Sequence, residues 1–400
     1  MMLARFLRHF RSDASSQRRA PQRKRTLGCE TLERRELFAV LSGELLVNTT
    51  TARNQSAPAL AAAPDGRSVA VWVHELSSSD NDIYAQRFNA SGNKIGAEIR
   101  VAISSRVEKQ PDVAMDSSGD FVVTWVDQVS SNDTDIKAQR FSSTGALRGS
   151  TIIVASDSKN EEIPTIGIDS NGNFVIAWQL QFNASDRDVL AKRFLDNGTM
   201  ASSFVVANSS TVVEDYPDVA VAPDGRFAVS YGVDSGNRDV IVKRYSATGT
   251  VVNTHSVATG SAQQTNPRIS MDNSANTMVV WQEIVGADSD IKARRISNTG
   301  ALGSTMTVVA TSRQEIVPEV AMKRDGTAFV VAHYNFSNFS SAITELTIGG
   351  TVRRRDTTGS PTVVQRSALA FGAGGAYVLL QGKNSSASGW DVFRRRGRLT

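Results

Sequence analysis

One phrase recurs along most of this 400-residue chain, and its period limits what the chain can fold into. The stretch Pro111 to Trp125, PDVAMDSSGDFVVTW, begins again at Pro58, Pro164, Pro217, Pro267 and Pro318, and in degenerate form at Ser367. The steps are 53, 53, 53, 50, 51 and 49 residues. A unit of about 50 residues is one supersecondary motif that cannot bury its own apolar face, so the copies must stack on one another. A glycine follows eight residues after most starts, at Gly66, Gly119, Gly172, Gly225, Gly326 and Gly375, with Ala275 in its place once. An aromatic follows fourteen residues after, at Trp72, Trp125, Trp178, Tyr231 and Trp281; Ala332 and Gln381 break that column in the last two copies.

A second phrase, Asp135-Ile136-Lys137-Ala138-Gln139-Arg140-Phe141, recurs from Asp82, Asp188, Asp239 and Asp290, and more loosely from Asp391. Each unit closes on a turn glycine and a short apolar run such as Glu98 to Ala102. The pattern predicts four strands per unit: one around Val113 to Met115, one from Phe121 to Trp125, one starting at the repeated Asp, and one in the apolar run. The Asp-Ser-Ser-Gly and Ser-Ser-Thr-Gly segments between them are turn chemistry. A four-stranded unit repeated seven times predicts an all-β, seven-bladed β-propeller of antiparallel blades. A column three residues after each start is small throughout: Ala61, Ala114, Gly167, Ala220, Ser270, Ala321 and Ala370. The expectation is that it faces a narrow channel on the axis. The last copy stops after its third strand, Asp391 to Arg396, while Gly43 to Asn48 aligns with Gly96 to Val101 at the other end. The N-terminal strand is therefore expected to complete the final blade and to close the ring, which removes an exposed sheet edge.

The net charge of +4 is unevenly spread. Residues 1–40 hold ten Arg or Lys against four acids, leaving −2 for the other 360. The body is mildly acidic, which argues against a surface for nucleic acid. Its one cysteine, Cys29, lies in the basic segment, so the body has no disulfide and no thiolate metal site. No run approaches the ~18 apolar residues of a membrane span. The chain thus divides into a leader, 1–41, and a repeat body, 42–400, expected to be a monomer. Leu32-Glu33-Arg34-Arg35-Glu36-Leu37-Phe38-Ala39, at the end of the leader, resembles the amino-terminal motif of secreted and surface proteins of planctomycete bacteria. The resemblance implies export to the cell envelope or medium. The repeat itself resembles units found in large bacterial surface proteins, a likeness that implies architecture and says little about activity.

The repeated charges invite a chemical reading. Asp82, Asp135, Asp188, Asp239, Asp290 and Asp391 are each followed five residues later by Arg87, Arg140, Arg193, Arg244, Arg295 and Arg396. Five strand positions span ~16 Å and end on opposite faces, so these partners cannot pair directly. A role in every unit points to structure: the Asp capping turns, the Arg pairing across strands or units. A second acid gives Asp80-x-Asp82, Asp133-x-Asp135, Asp186-x-Asp188 and Asp288-x-Asp290. Hard oxygens at alternate positions suit Ca²⁺, although the full Asp-x-Asp-x-Asp-Gly loop is absent. In a propeller these acids, with Glu161, Glu162, Glu214 and Asp215, ring one face. His9, His74, His255 and His333 share no column, and there is no nucleophile elbow, phosphate loop or zinc spacing. The expectation is a non-catalytic, cofactor-free binding or scaffold module presenting that face to a glycan or protein. Two alternatives stand beside it: a polysaccharide-acting enzyme (glycosidase, sulfatase-associated or lyase type) with an axial carboxylate site, and a calcium-stabilised adhesion repeat. A deep axial pocket with two or three carboxylates of perturbed pKa would favour the enzyme.

Overall fold

The computed structural model describes residues 44–399, apart from 313, 336–339, 358–363, 373–375 and 386–388. The leader with its motif, Cys29, His9 and Gly375 lie outside the described residues. Among the described residues there is no helix; the chain is all β, in antiparallel four-stranded groups. One group consists of Val107–Met115, Phe121–Ser130, Asp133–Phe141 and Ile152–Ala155. The first strands of the groups are Gln55–Ala62, Val107–Met115, Asn160–Ile168, Val213–Val221, Gln263–Met271, Glu315–Met322 and Val364–Phe371. Where the third strand of one group begins, it touches the first strand of the next in a short parallel bridge, as Thr134 does with Asn160. The hairpin between second and third strands and the connection between groups therefore share one end of the assembly.

The apolar core lies between groups. Ala61 of the first group packs with Val113 and Met115 of the second, and Ala114 of the second packs with Ile166 of the third. The seventh meets the first in the same way, Ala368 joining Leu60, Trp72 and Val47. Inside three of the sheets a stacked ring pair ties second strand to third: Phe121 on Phe141 at 4.9 Å, Phe174 on Phe194 at 5.0 Å, Phe227 on Tyr245 at 4.6 Å.

The expected role of the small column holds in part. Ser270, Ala321 and Ala370 line a cavity between the first strands, together with the larger residues beside the column, Met115, Ile168, Val221, Met271, Met322 and Phe371. Ala61, Ala114 and Gly167 lie where the next group's first strand closes in. A Cβ on Gly167 would sit 2.6 Å from Val221 Cγ2, so the neighbouring strand also demands a small residue there.

The seam between the chain ends is paired, one residue away from the alignment expected. Leu45 and Leu46 pair with Arg394 and Phe393, and Val47 N donates to Val392 O at 2.8 Å. Leu46 therefore matches Arg100, which pairs with Tyr84, rather than Ile99. The shift buries Val47 fully, as Val154, Val206 and Val308 are buried in other groups. Register is set by which residue reaches the core, and a slip of one would turn Val47 to solvent. Asn48 locks the seam: its Nδ2 donates to Asp391 Oδ1 at 2.8 Å and its Oδ1 accepts from Val392 N at 2.9 Å.

The Arg column links neighbouring groups. Arg87 Nη1 donates to Ser143 O at 2.8 Å, Arg140 to Asp196 O, and Arg244 Nη2 to Asn298 O at 2.9 Å. From the seventh group to the first, Arg394 Nη1 donates to Gly92 O at 2.9 Å. Arg394 is buried over the Phe88 ring, 4.6 Å from its centroid.

Replacing Asn48 by Ala removes both seam bonds and leaves Val392 N–H and the Asp391 carboxylate short of a buried partner. The variant should lose roughly 2–4 kcal/mol in urea unfolding; a loss within experimental error would mean that the seam carries no stability.

Candidate active site

Every first strand carries the same irregularity. Two residues oppose one on the second strand, as between Glu162 and Thr165, where Ile163 and Pro164 face Trp178 alone. The residue before the proline has positive φ each time: Ala57 47°, Gln110 52°, Ile163 53°, Tyr216 51°, Asn266 51° and Val317 51°. Such a backbone is strained for a β-branched residue, and a following proline disfavours helical backbone further, at ~1–3 kcal/mol per site. A bulge re-aims the side chain that follows it. Here that residue is Asp112, Thr165, Asp218, Arg268 or Glu319, and these line a cavity of about 160 Å³ between the first strands. This is the end where the groups connect.

The same register places the aromatic column opposite the bulges: Trp72, Trp125, Trp178, Tyr231 and Trp281. In the sixth group the position belongs to His333, because the turn from Met322 to Phe329 is one residue longer than that from Met115 to Phe121. His333 is thus a member of the column, not an isolated residue, and Ala332 is not its break. Burial and Arg355 hold its imidazole down at about 4.

Around the cavity the residues after the prolines form a chain of contacts. Asp112 Oδ2 accepts from Ile166 N at 2.9 Å, Thr165 Oγ1 donates to Asp218 Oδ1 at 2.9 Å, and Asp218 Oδ2 accepts from Ile269 N at 2.8 Å. Arg268 Nε donates to Glu319 Oε1 at 3.1 Å. These bonds satisfy inner-edge amides that no further strand could reach. The set is asymmetric: one cation, Arg268, among carboxylates. Burial pushes the Asp218 carboxyl up to about 6, with Arg268 opposing and Glu319 adding to the rise. Burial also opposes the charge on Arg268, but Glu319 and Asp218 more than offset it and raise its pKa.

Outside the cavity runs a column that sequence reading saw only in part: Gln55, Glu108, Glu161, Glu214, Gln264 and Glu315, three residues before each proline and all buried. Their oxygens cap the connection between groups. Glu108 Oε1 accepts from Ser104 Oγ at 2.5 Å, Glu161 Oε1 from Asp157 N at 3.0 Å, and Glu214 Oε2 from Ser209 N at 3.1 Å. Burial pushes Glu108 and Glu161 up to about 7 each. The proline spacing was the signal that could have found this column.

The Asp-x-Asp pairs stand at the start of third strands, Asp80 opposite Ser77 and Asp82 opposite His74. Asp133 and Asp135 face Ser130 and Asp127, and Asp186 and Asp188 face Asn183 and Leu180. Burial raises Asp82, Asp135 and Asp188 above the usual carboxylate range. Asp288 caps Ser289 N at 2.9 Å, and Asp290 lies 3.0 Å from Lys292 Nζ. Among the described residues no three of His, Cys, Asp and Glu gather as a metal site. No helix there is long and apolar enough to cross a membrane.

No family model matches the chain, and no curated protein matches it. Solved structures of similar fold do exist. An ulvan lyase of a new polysaccharide lyase family, bound to -[GlcA(1-4)Rha3S]-, is 14% identical, with 88% of this chain and 95% of that one covered and a TM-score of 0.56. Polysaccharide lyase Uly1 is 10% identical over 90% and 100%, also at 0.56. The α-L-arabinanase of Penicillium chrysogenum, complexed with arabinobiose, is 13% identical over 78% and 99%, at 0.52. Likeness at this identity is likeness of fold. These three neighbours are nonetheless glycan-processing enzymes, and this overturns the expectation of a non-catalytic binding or scaffold module. That expectation rested on the leader and on the absence of a catalytic asymmetry among the repeats. A catalytic centre needs a single constellation, and a repeat fold supplies one where its columns differ from unit to unit.

The raised Glu161 gives a pH dependence of defined sign. The folded state holds its proton up to about 7 while the unfolded chain releases it near 4.5, so stability is full below about 4.5 and falls as pH rises through about 7. Glu161→Gln, which copies Gln55 and Gln264, should be roughly 1–3 kcal/mol more stable than the parent at pH 8 and equal to it at pH 4. Thermal melts across that range check this; a variant less stable at pH 8 would show that the carboxylate is better held than its burial implies.

Proposed function

We propose that the body is a closed seven-bladed β-propeller that cleaves an acidic polysaccharide at the axial cavity where the groups connect. One observation carries the functional reading: Asp218, raised to about 6 by burial, lies beside the paired Arg268 and Glu319 at the point where the bulged first strands converge. An acid that changes state near pH 6 can take a proton from a sugar carbon or give one to a glycosidic oxygen under mild conditions. Arg268 offers a planar guanidinium to a substrate carboxylate or sulfate. Glu319 is a positioning residue that holds Arg268. The likeness to lyases and an arabinanase supports a glycan as partner, and the acidic repeat in the ulvan lyase complex fits a site with one buried cation.

The ring reading is supported by the seven repeats, the paired ends, and the unit-to-unit contacts that continue from the last copy to the first. The basic leader and its Leu32 to Ala39 motif support export, so the protein would meet polymeric glycans outside the cell.

Incubating the purified protein with acidic and neutral polysaccharides should release ends on an acidic one. New reducing ends alone indicate hydrolysis; ultraviolet absorbance of an unsaturated uronate as well indicates elimination. Asp218→Asn should cut turnover by about 10²-fold or more, and the parent's pH–rate profile should break at about 6. An Asp218→Asn variant with the parent's rate would remove Asp218 from the chemistry.

A further inference from the structure

The first strands border a second cavity, at the end opposite the axial residues. Its volume is about 420 Å³ and much of its wall is apolar, with Met115, Met271, Met322 and Phe371 among the residues that form it. A pocket of ~300–1,000 Å³ with apolar walls and a few placed polar groups is the usual form of a small-molecule site. Methionine suits such a wall, because its unbranched, polarisable side chain adapts to the shape of an occupant.

One position of the turn between first and second strands borders this cavity, six residues after each repeat start: Pro64, Ser117, Ser170, Pro223, Asn273 and Arg324. Five of these are short and uncharged. The sixth is a long cation, carried on the turn that is one residue longer than that from Met115 to Phe121. Ser117 and Ser170 each donate through Oγ to a carbonyl of the next turn, Ser170 O and Pro223 O. Arg324 reaches further: its Nη2 donates to Ala62 O of the first group at 3.2 Å, past the seventh group.

No carboxylate answers that charge. Among the described residues Arg324 has no ion pair, and burial lowers its pKa with no acid opposing, whereas Arg268 has Glu319 and Asp218 beside it. Asp116 and Asp169 also line the cavity, but both are buried and accept from amides of their own turns. Nη1 of Arg324 makes no bond and is not sealed from solvent. A partly buried guanidinium costs free energy unless it is paired, and a carboxylate is the acceptor that its donors fit best.

We propose that this second cavity binds an organic carboxylate with an apolar body, which lies among the methionines while its carboxylate pairs with Arg324 Nη1. The site is separate from the axial one in its polar residues and in its ligand, although Val320 and Leu369 wall both cavities. It does not depend on the glycan reading.

Calorimetric titration of the full chain with octanoate and with 4-phenylbutyrate tests this, with 1-octanol, acetate and inorganic sulfate as separate arms. At least one of the two larger carboxylates should bind at a single site, and acetate and sulfate should give no measurable heat. Arg324→Ser puts into the sixth turn the residue native to the second and third, so it is compatible with the fold. It should weaken carboxylate binding about tenfold or more and leave any binding of 1-octanol within about twofold. Arg324→Lys, which keeps the charge, should lose less than Arg324→Ser, and Asp218→Asn should bind as the parent does. A parent that binds neither carboxylate overturns the proposal, as does parent affinity in Arg324→Ser or sulfate bound as tightly as the carboxylates. Loss of binding in Asp218→Asn would move the ligand to the axial cavity and overturn it as well.

Discussion

Each four-stranded sheet here has two faces and no helix to cover either. That constraint governs the rest: a sheet of about 50 residues is stable only against the next sheet. Ala61 packs with Met115, Gly167 must admit Val221, and in three of the sheets stacked rings tie second strand to third. Arg87, Arg140, Arg244 and Arg394 extend the same dependence into loops, each carrying a charge from one group to a turn carbonyl of the next. With every sheet leaning on another, two open ends would leave two apolar faces bare. The pairing of Leu45 with Arg394 and Leu46 with Phe393 completes the seventh sheet, and Ala368 of that sheet packs with Leu60 and Trp72 of the first.

The repetition made the fold legible because it is written in residue types that backbone geometry demands: glycine in turns, alternating apolar residues in strands, proline at a fixed offset. Four strands per unit and the offset of the ends could be read directly from that spacing. What could not be read was facing. The column of Ala61 to Ala370 was identified correctly as small, but the sequence does not show which members border the cavity, as Ser270, Ala321 and Ala370 do, and which press on the next strand, as Gly167 does. The alignment of Gly43 to Asn48 missed by one residue because the connection to the next proline differs in length: Pro58 stands 12 residues after Leu46, and Pro111 stands 11 after the equivalent Arg100. His333 was hidden by a turn one residue longer than its equivalents.

The candidate site was less legible, for a reason that also lies in the bulges. Asp112, Asp218, Arg268 and Glu319 follow prolines and read as ordinary turn-side polar residues. The bulge, with its positive φ before each proline, turns them toward the cavity between the first strands. Strain repeated at Ile163 and Val317, where β-branched side chains oppose it, is structural because it recurs. Its consequence is local, because the side chain it re-aims varies from unit to unit.

That difference is how a repeat protein acquires chemistry. Features shared by most units, such as the Asp at the third strand or the Arg five positions on, are maintained by the common need to cap a turn and join a neighbour. A reaction centre breaks the pattern. Arg268 replaces an acid or hydroxyl among residues that otherwise stitch amides, and it is the cation against which Asp218 and Glu319 are balanced. Asp127 stands opposite the capping Glu108 where Leu180 and Val233 stand opposite Glu161 and Glu214, and its Oδ1 is buried without a donor. Both departures cost stability that the columns around them supply, and in a fold whose sheets support one another such a cost is spread around the assembly rather than borne by one unit.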